Sequence, residues 1–192
     1  MMMMASYIST EDKVIVDSRM SFAEATSGTA APPELIDQLY LLDVRYFSFD
    51  GRLHEGQLVV NRRLAKEIAD IFSKIRELRF PIGRIIPLVH YGWSDEASMT
   101  DNNTSCFNYR FVAGTKRLSR HATGEAIDIN PHQNPVIYED RRTLPEGATY
   151  IPGAKGTLHT ESFVLQDFLS LGWKWGGHFS HIRDYHHLEK PR

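Results

Sequence analysis

The sequence is poor in cysteine, with Cys106 alone among its 192 residues. A single cysteine cannot form an internal disulfide, and it excludes zinc or iron–sulfur sites built from several thiolates. Cys106 lies in the segment NNTSCFNY, which contains no motif that would activate a nucleophilic thiol. We therefore interpret Cys106 as a buried bystander.

Long apolar runs and a strong charge excess are also missing. No stretch approaches the roughly 20 apolar residues that span a bilayer, and the N-terminal MMMMASYISTEDK lacks the basic and apolar regions of a secretory signal. The formal net charge of −2 gives no general attraction to nucleic acid or to anionic membranes. These absences predict a soluble chain with no membrane span and no nucleic-acid partner.

The chain length fits one domain with a sizeable core. Residues 1–32 are polar and small and predict a flexible N-terminal arm, which leaves residues 33–192 as a single domain. Two strand-like runs around Asp50–Gly51 and Glu55–Gly56 predict a hairpin or a bulged pair. Asn61 is a suitable N-cap for the clearest helix, whose apolar face contains Leu64, Ile68, Ile71, Phe72, Ile75 and Leu78.

Less regular segments flank the motif that carries the candidate chemistry. Residues 92–118 are rich in small and polar side chains and predict a long surface loop. The alternation in EAIDIN predicts a half-buried strand that directs Asp128 toward a cleft and Ile127 toward the core. Further on, Thr160 is expected to cap a helix that Gly172 terminates.

The sequence is rich in histidine, with nine, and His121 precedes Asp128 by seven positions in SRHATGEAIDIN. A hydrolytic zinc site needs about three protein ligands and an open position for water. The segment DYHHLE supplies a third candidate ligand, His187, three residues after a free carboxylate, Asp184. A base must lie within one hydrogen bond of the attacking water. His186 is expected to point to the opposite face of the strand from His187.

These motifs together resemble one known family. SRHATGEAIDIN, written as SxHxxGxAxDxN, is followed by GWKWGG and then by DYHHLE. This ordered set resembles the D-alanyl-D-alanine metallopeptidases, which share a zinc-site superfamily with lysostaphin-type peptidases and the hedgehog domain. The resemblance covers roughly residues 98–190. It implies an α+β fold, in which a small and mostly antiparallel sheet carries the zinc site and helices pack on one side.

The resemblance also assigns roles residue by residue. The zinc ligands correspond to His121, Asp128 and His187. The catalytic carboxylate corresponds to Asp184, and the arginine that holds the substrate or the developing oxyanion corresponds to Arg110. Ser119 matches a position that lines the substrate site. The implied cofactor is Zn²⁺.

The implied function is a zinc metallopeptidase that hydrolyses peptidoglycan stem peptides at the bacterial cell wall or in the periplasm. Both D,D-carboxypeptidase and L-Ala–D-Glu endopeptidase activity fit, and an aspartate base favours these over a dipeptidase. One alternative is a non-catalytic zinc-binding module, which would not need Asp184. Another is a non-haem iron oxygenase with the same His/Asp/His ligands, which the long spacing from His121 to Asp128 and the DxxH tail disfavour.

Overall fold

The computed structural model describes residues 14–191, which form an α+β fold. The helices are α1 (Phe22–Ala25), α2 (Pro33–Ile36), α3 (Ala65–Glu77), α4 (Asp95–Thr100) and α5 (Phe163–Ser170). The strands are β1 (Ile15–Val16), β2 (Leu39–Phe47), β3 (Leu53–Asn61), β4 (Arg84–Ile85), β5 (Asn103–Thr104), β6 (Ala126–Asp128), β7 (Val136–Tyr138), β8 (Thr143–Leu144), β9 (Lys174–Trp175), β10 (Ile182–Asp184) and β11 (His187–Glu189).

Several small sheets replace the one sheet that the sequence predicts. Their strand orders within residues 14–191 are β1-β3-β2, β10-β7-β8, β6-β11-β9 and β4-β5. The pairings are antiparallel except those of β1 with β3 and of β4 with β5. Among the same residues, no helix is long and apolar enough to cross a bilayer.

The predicted hairpin is the longest sheet element, and helix α3 packs against it. Strands β2 and β3 pair from Leu39 opposite Asn61 to Phe47 opposite Leu53. The turn contains Gly51 at a φ of 76°, a left-handed conformation that suits glycine. On α3, the side chains of Ile68, Ile71, Phe72 and Ile75 are buried in the core. Burying each contributes about 1.5–3 kcal/mol, which joins the helix to the hairpin.

Asn61 starts the helical segment, as predicted, and also contacts the chain that leads into β6. Its side-chain oxygen accepts a hydrogen bond from the backbone N–H of Arg63, which opens a 3-10 turn before α3. Its side-chain amide donates to the carbonyl of Thr123, and its backbone N–H donates to the carbonyl of Gly124. The hairpin and helix therefore fix the position of residues 123–124.

Residues 14–32 are packed against the rest of the chain, so the predicted arm is wrong for this part; residues 1–13 lie outside the described residues. Strand β1 pairs with β3, and the side chain of Gln57 contacts both Ser18 and Met20. Ser21 and Glu24 form a capping box on α1, and Ala25 is fully buried. These contacts are long-range ones that the local composition does not reveal.

The prediction of a surface loop over residues 92–118 is also wrong in part. Helix α4 and strand β5 lie within it, and every residue from 103 to 108 is buried. The polar side chains in this buried stretch are satisfied by specific partners, as Asn103 shows by pairing with both the N–H and the carbonyl of Ile86. The polar composition therefore predicted that these side chains are exposed, but their hydrogen bonds allow them to be buried.

Two predicted helix boundaries also differ from the structure. Ser162, rather than Thr160, caps α5 by accepting a hydrogen bond from the N–H of Leu165. Leu78 lies beyond the end of α3 and is 60% exposed, so it is outside the apolar face. In both cases the helix is shorter than the apolar periodicity suggests.

The sheet β6-β11-β9 carries the candidate ligands on one face and core residues on the other. His187 pairs with Asp128, and Leu188 pairs with Ile127. Ile127 and Leu188 are fully buried in the core cluster that contains α3, as the predicted alternation requires. Asp128, on the other face, is only 7% exposed. The strand is therefore covered on both faces, whereas the sequence predicts a half-buried strand.

Gly124 is the tightest point between this sheet and the hairpin, and it provides a test of the packing. Its φ is 65°, and a Cβ there would lie 2.6 Å from the backbone nitrogen of Asn61. We expect Gly124→Ala to lower the free energy of unfolding by at least about 2 kcal/mol more than Gly114→Ala, because overpacking adds to the strain of the left-handed backbone. Gly114 is the matched control, since its φ is 72° and nothing lies within 4 Å of a Cβ. Urea unfolding measures the difference, and equal losses would contradict this packing.

Candidate metal centre

The ring of His121 is oriented by the backbone carbonyl of Cys106. His121 begins a 3-10 turn, His121–Thr123, which ends at the left-handed Gly124. Its Nδ1 lies 2.5 Å from the carbonyl oxygen of Cys106. A carbonyl can only accept, so Nδ1 donates to it, and whenever the ring is neutral Nε2 has the lone pair. The Nε2 atom is therefore the one available as a ligand.

Asp128 and His187 meet because their strands pair in register. The Nδ1 of His187 lies 3.1 Å from Oδ1 of Asp128. The Nε2 of His121 lies 3.2 Å from the same oxygen and 3.1 Å from Nδ1 of His187. All three residues are at least nine-tenths buried. Their donor atoms thus form a nearly equilateral triangle, and this group could hold a metal ion.

Glu189 holds the other nitrogen of His187. Its Oε2 lies 3.2 Å from Nε2 of His187, two residues earlier on the same strand. Burial alone would lower the pKa of His187, but hydrogen bonds with Asp128 and Glu189 raise it to about 10. Metal-binding histidines commonly have such a carboxylate on the second ring nitrogen. A metal at Nδ1 would replace the proton there and leave the contact with Glu189 in place.

The pKa of the Asp128 carboxyl is lowered despite its burial. Burial opposes ionisation, but the neighbouring His121 and His186 hold its pKa well below the usual range. Its backbone is fixed on the second side by Ser105, with hydrogen bonds of 2.8 and 3.1 Å. A buried anion between imidazoles is the electrostatic setting that a cation would occupy.

An ion-pair network around the buried Glu125 holds the turn that carries His121. Glu125 accepts a hydrogen bond of 2.7 Å from Arg63 and contacts Arg120 at 3.2 Å. It also accepts from the hydroxyl of Thr123. Burial would raise the pKa of Glu125, and these partners lower it instead. The turn is therefore fixed to the start of the α3 segment through Arg63.

Asp184 lies beside the three candidate ligands. A Cβ on Gly176 would lie 2.9 Å from Cβ of Asp184 and 3.2 Å from Cβ of His187, so both side chains border the same glycine. The Oδ1 of Asp184 is shielded from solvent and, among the described residues, accepts no hydrogen bond. The side chain is nevertheless 22% exposed, so its open part includes the other oxygen.

His186 is close to this carboxylate, contrary to the expectation that it points away. It lies in the turn between β10 and β11, before the alternation of strand β11 begins. Its Nε2 is 3.1 Å from Oδ1 of Asp184 and 4.0 Å from Oδ2 of Asp128. Its burial is nearly complete, at 3% exposure.

Arg110 and Ser119 have contacts of a different kind from those predicted. The Nε of Arg110 lies 2.6 Å from Oδ2 of Asp95, and within the described residues no hydrogen bond or ion pair joins Arg110 to a candidate ligand. Ser119 is buried, and its hydroxyl accepts a hydrogen bond of 3.2 Å from the backbone N–H of His121. Their roles toward a substrate stay predictions.

Glu189, His186 and the carbonyl of Cys106 were missed as parts of the site. Glu189 had a visible signal, because a residue two positions after His187 shares its side of a strand. The sequence contains no comparable signal for Cys106, because its contact is made by a backbone carbonyl. It contains none for His186 either, because His186 lies in a turn outside the strand pattern.

The comparison with family models agrees with this geometry. Residues 113–190 match the family model described as D-alanyl-D-alanine carboxypeptidase. The match includes His121, Asp128, Asp184 and His187, whereas Arg110 precedes it. Neither a curated protein nor a solved structure matches the chain. Over residues 113–190, which are less than half of its length, the chain is therefore similar to this metallopeptidase family.

Proposed function

We propose that this protein is a zinc metallopeptidase that hydrolyses peptide bonds in peptidoglycan stem peptides. The observation that carries the proposal is the triangle of donor atoms from His121, Asp128 and His187, with edges of 3.1–3.2 Å, beside the carboxylate of Asp184. Donors bound to zinc at ~2.1 Å with tetrahedral angles would lie about 3.4 Å apart. The donor set and its spacing therefore fit zinc.

The chain itself would supply the proton transfers. A zinc ion held by the three ligands would act as a Lewis acid and make a water nucleophilic near neutral pH. Asp184 would accept a proton from the water that attacks the peptide carbonyl and deliver it to the amine that leaves. The partial exposure of Asp184 supports this role, since a base must reach both solvent and substrate.

We keep Arg110 as the residue that would hold the substrate or the oxyanion. Its Nε forms an ion pair with Oδ2 of Asp95 at 2.6 Å. An arginine near the reacting carbonyl would stabilise the charge that develops on oxygen. For Ser119, the hydrogen bond to the N–H of His121 supports a structural contribution beside the substrate-lining role that the family suggests.

The bond that is cut can be identified from the products. We expect the zinc-loaded protein to shorten purified muropeptides, and a chelator to abolish the cleavage until zinc is returned. Mass spectrometry separates loss of a terminal D-alanine, the result for a carboxypeptidase, from separation of L-Ala and D-Glu, the result for an endopeptidase. Bound zinc with no cleavage would support the non-catalytic module, and bound iron with no cleavage would support the oxygenase.

Substitutions at Asp184 and His187 should separate metal binding from catalysis. We expect Asp184→Asn to retain zinc and to lower kcat by at least about 10²-fold, because it removes the base. His187→Ala should lose both the metal and the activity. Asp140→Asn is the matched control, since Asp140 is exposed and contacts Arg142. Metal analysis and steady-state kinetics measure both effects, and a fully active Asp184→Asn variant would exclude Asp184 as the base.

Glu189 should affect the affinity for zinc without being a ligand. We expect Glu189→Gln to weaken zinc binding by about 10–100-fold, because the carboxylate orients His187 and increases its basicity. Glu139→Gln serves as the control, because the Glu139 side chain is 76% exposed. Competition with a chromogenic chelator measures both dissociation constants. Equal affinities for the two variants would contradict this assignment.

A further inference from the structure

We propose that His186 is a positioning residue that fixes the carboxylate of Asp184 relative to the metal ligands. This role rests on the proposed peptidase function. The basis is geometric, because one buried imidazole nitrogen lies 3.1 Å from Asp184 and 4.0 Å from Asp128. His186 thereby connects the candidate base with a candidate ligand.

The ring of His186 is anchored on its far side. Its Nδ1 lies 2.8 Å from the carbonyl oxygen of Asn134, which can only accept a hydrogen bond. Asn134 is fully buried, and its side chain donates to the carbonyl of Gly156 and accepts from the N–H of Leu158. The ring therefore has a fixed orientation, with Nε2 directed at the carboxylates.

The carboxylate of Asp184 has few other restraints. Its backbone is fixed, because it pairs with Val136 in the sheet and its carbonyl oxygen would lie 2.4 Å from a Cβ on Gly176. Its Oδ1 is shielded from solvent and, within residues 14–191, receives no hydrogen bond of good geometry. The 3.1 Å contact with Nε2 of His186 therefore restricts the carboxylate without a hydrogen bond of good geometry, and the other oxygen is left open.

This arrangement predicts a defect in turnover rather than in binding. If His186 is removed, Asp184 keeps its place in the strand, but its carboxylate can turn away from the attacking water. A small misplacement of a reacting group can reduce the rate by up to about 10²-fold. The ligands His121, Asp128 and His187 keep their own contacts, so the metal should remain bound.

Two substitutions and a control test this role in the zinc-loaded protein. We expect His186→Phe to lower kcat by about 10–100-fold with KM changed less than about twofold, and with one zinc per chain retained. His186→Gln, which returns a donor near the position of Nε2, should recover at least part of the loss. His181→Phe is the control, because the His181 side chain is 89% exposed. Wild-type kcat in His186→Phe would overturn the proposal, and so would loss of zinc from both His186 variants.

The double variant shows whether His186 acts through Asp184. In an Asp184→Asn background, His186→Phe should cause no further decrease in kcat, because the group that it positions is already gone. A fully multiplicative loss would overturn the proposal.

NMR spectra of the histidine side chains test the contact between His186 and Asp184 without relying on enzymatic activity. Long-range ¹H–¹⁵N spectra of the imidazoles should show a protonated Nδ1 in His186, and the Nε2 shift should move in Asp184→Asn but stay constant in Asp140→Asn. An unchanged Nε2 shift in Asp184→Asn would overturn the contact. If the wild-type protein cleaves no stem peptide, the proposed function fails, and these spectra still decide whether His186 holds Asp184.

Discussion

The antiparallel pairing of β6 with β11 is the constraint on which the rest of the site depends. It places His187 directly opposite Asp128, and a shift by one residue would direct one of them into the core. The pairing is stabilised by the core on the other face of the sheet, where Ile127 and Leu188 are fully buried with residues of α3. Core packing therefore selects the register, and the register brings the ligands together.

The polar groups around the site add restraints that hydrophobic packing cannot provide. The turn of His121 is held through Glu125 to Arg63, and the ring itself is held by the carbonyl of Cys106. Isolated buried charges would be unfavourable, but each of these groups has a partner of opposite charge or a hydrogen bond. The candidate ligands are therefore already held in place by the protein, which would limit the reorganisation that metal binding requires.

The proximity of the candidate ligands to one another and to the candidate base was predictable, because the spacing and order of these residues are visible in the sequence. His121, Asp128 and His187 meet as the motifs indicate, and Asp184 lies beside them. The hairpin and α3 were predictable from periodicity, since their apolar residues alternate or repeat locally. The resemblance to the metallopeptidase family was likewise predictable, and the match of residues 113–190 to its family model supports that resemblance.

What could not be predicted depends on contacts between distant segments. Residues 103–108 are polar in composition and yet buried, because strands and carbonyls far away in the sequence satisfy them. Residues 14–32 likewise pack through contacts with a distant segment, because β1 pairs with β3 and Gln57 of β3 binds the backbone of Met20. The position of His186 follows from a turn whose geometry the strand pattern does not describe. In each case tertiary contacts override the local signal.

The distance along the chain between the outer ligands has a consequence for stability. His121 and His187 are 66 residues apart, and a metal ion between them would close a loop of that length. Because such an ion would bind the folded chain and leave on unfolding, it would stabilise the fold by its binding free energy, about 4 kcal/mol at a metal concentration a thousandfold above Kd. A chain with a single cysteine cannot obtain this effect from a disulfide. The metal centre would thus act as a reversible cross-link that forms without an oxidant and joins the last strand to the middle of the sequence.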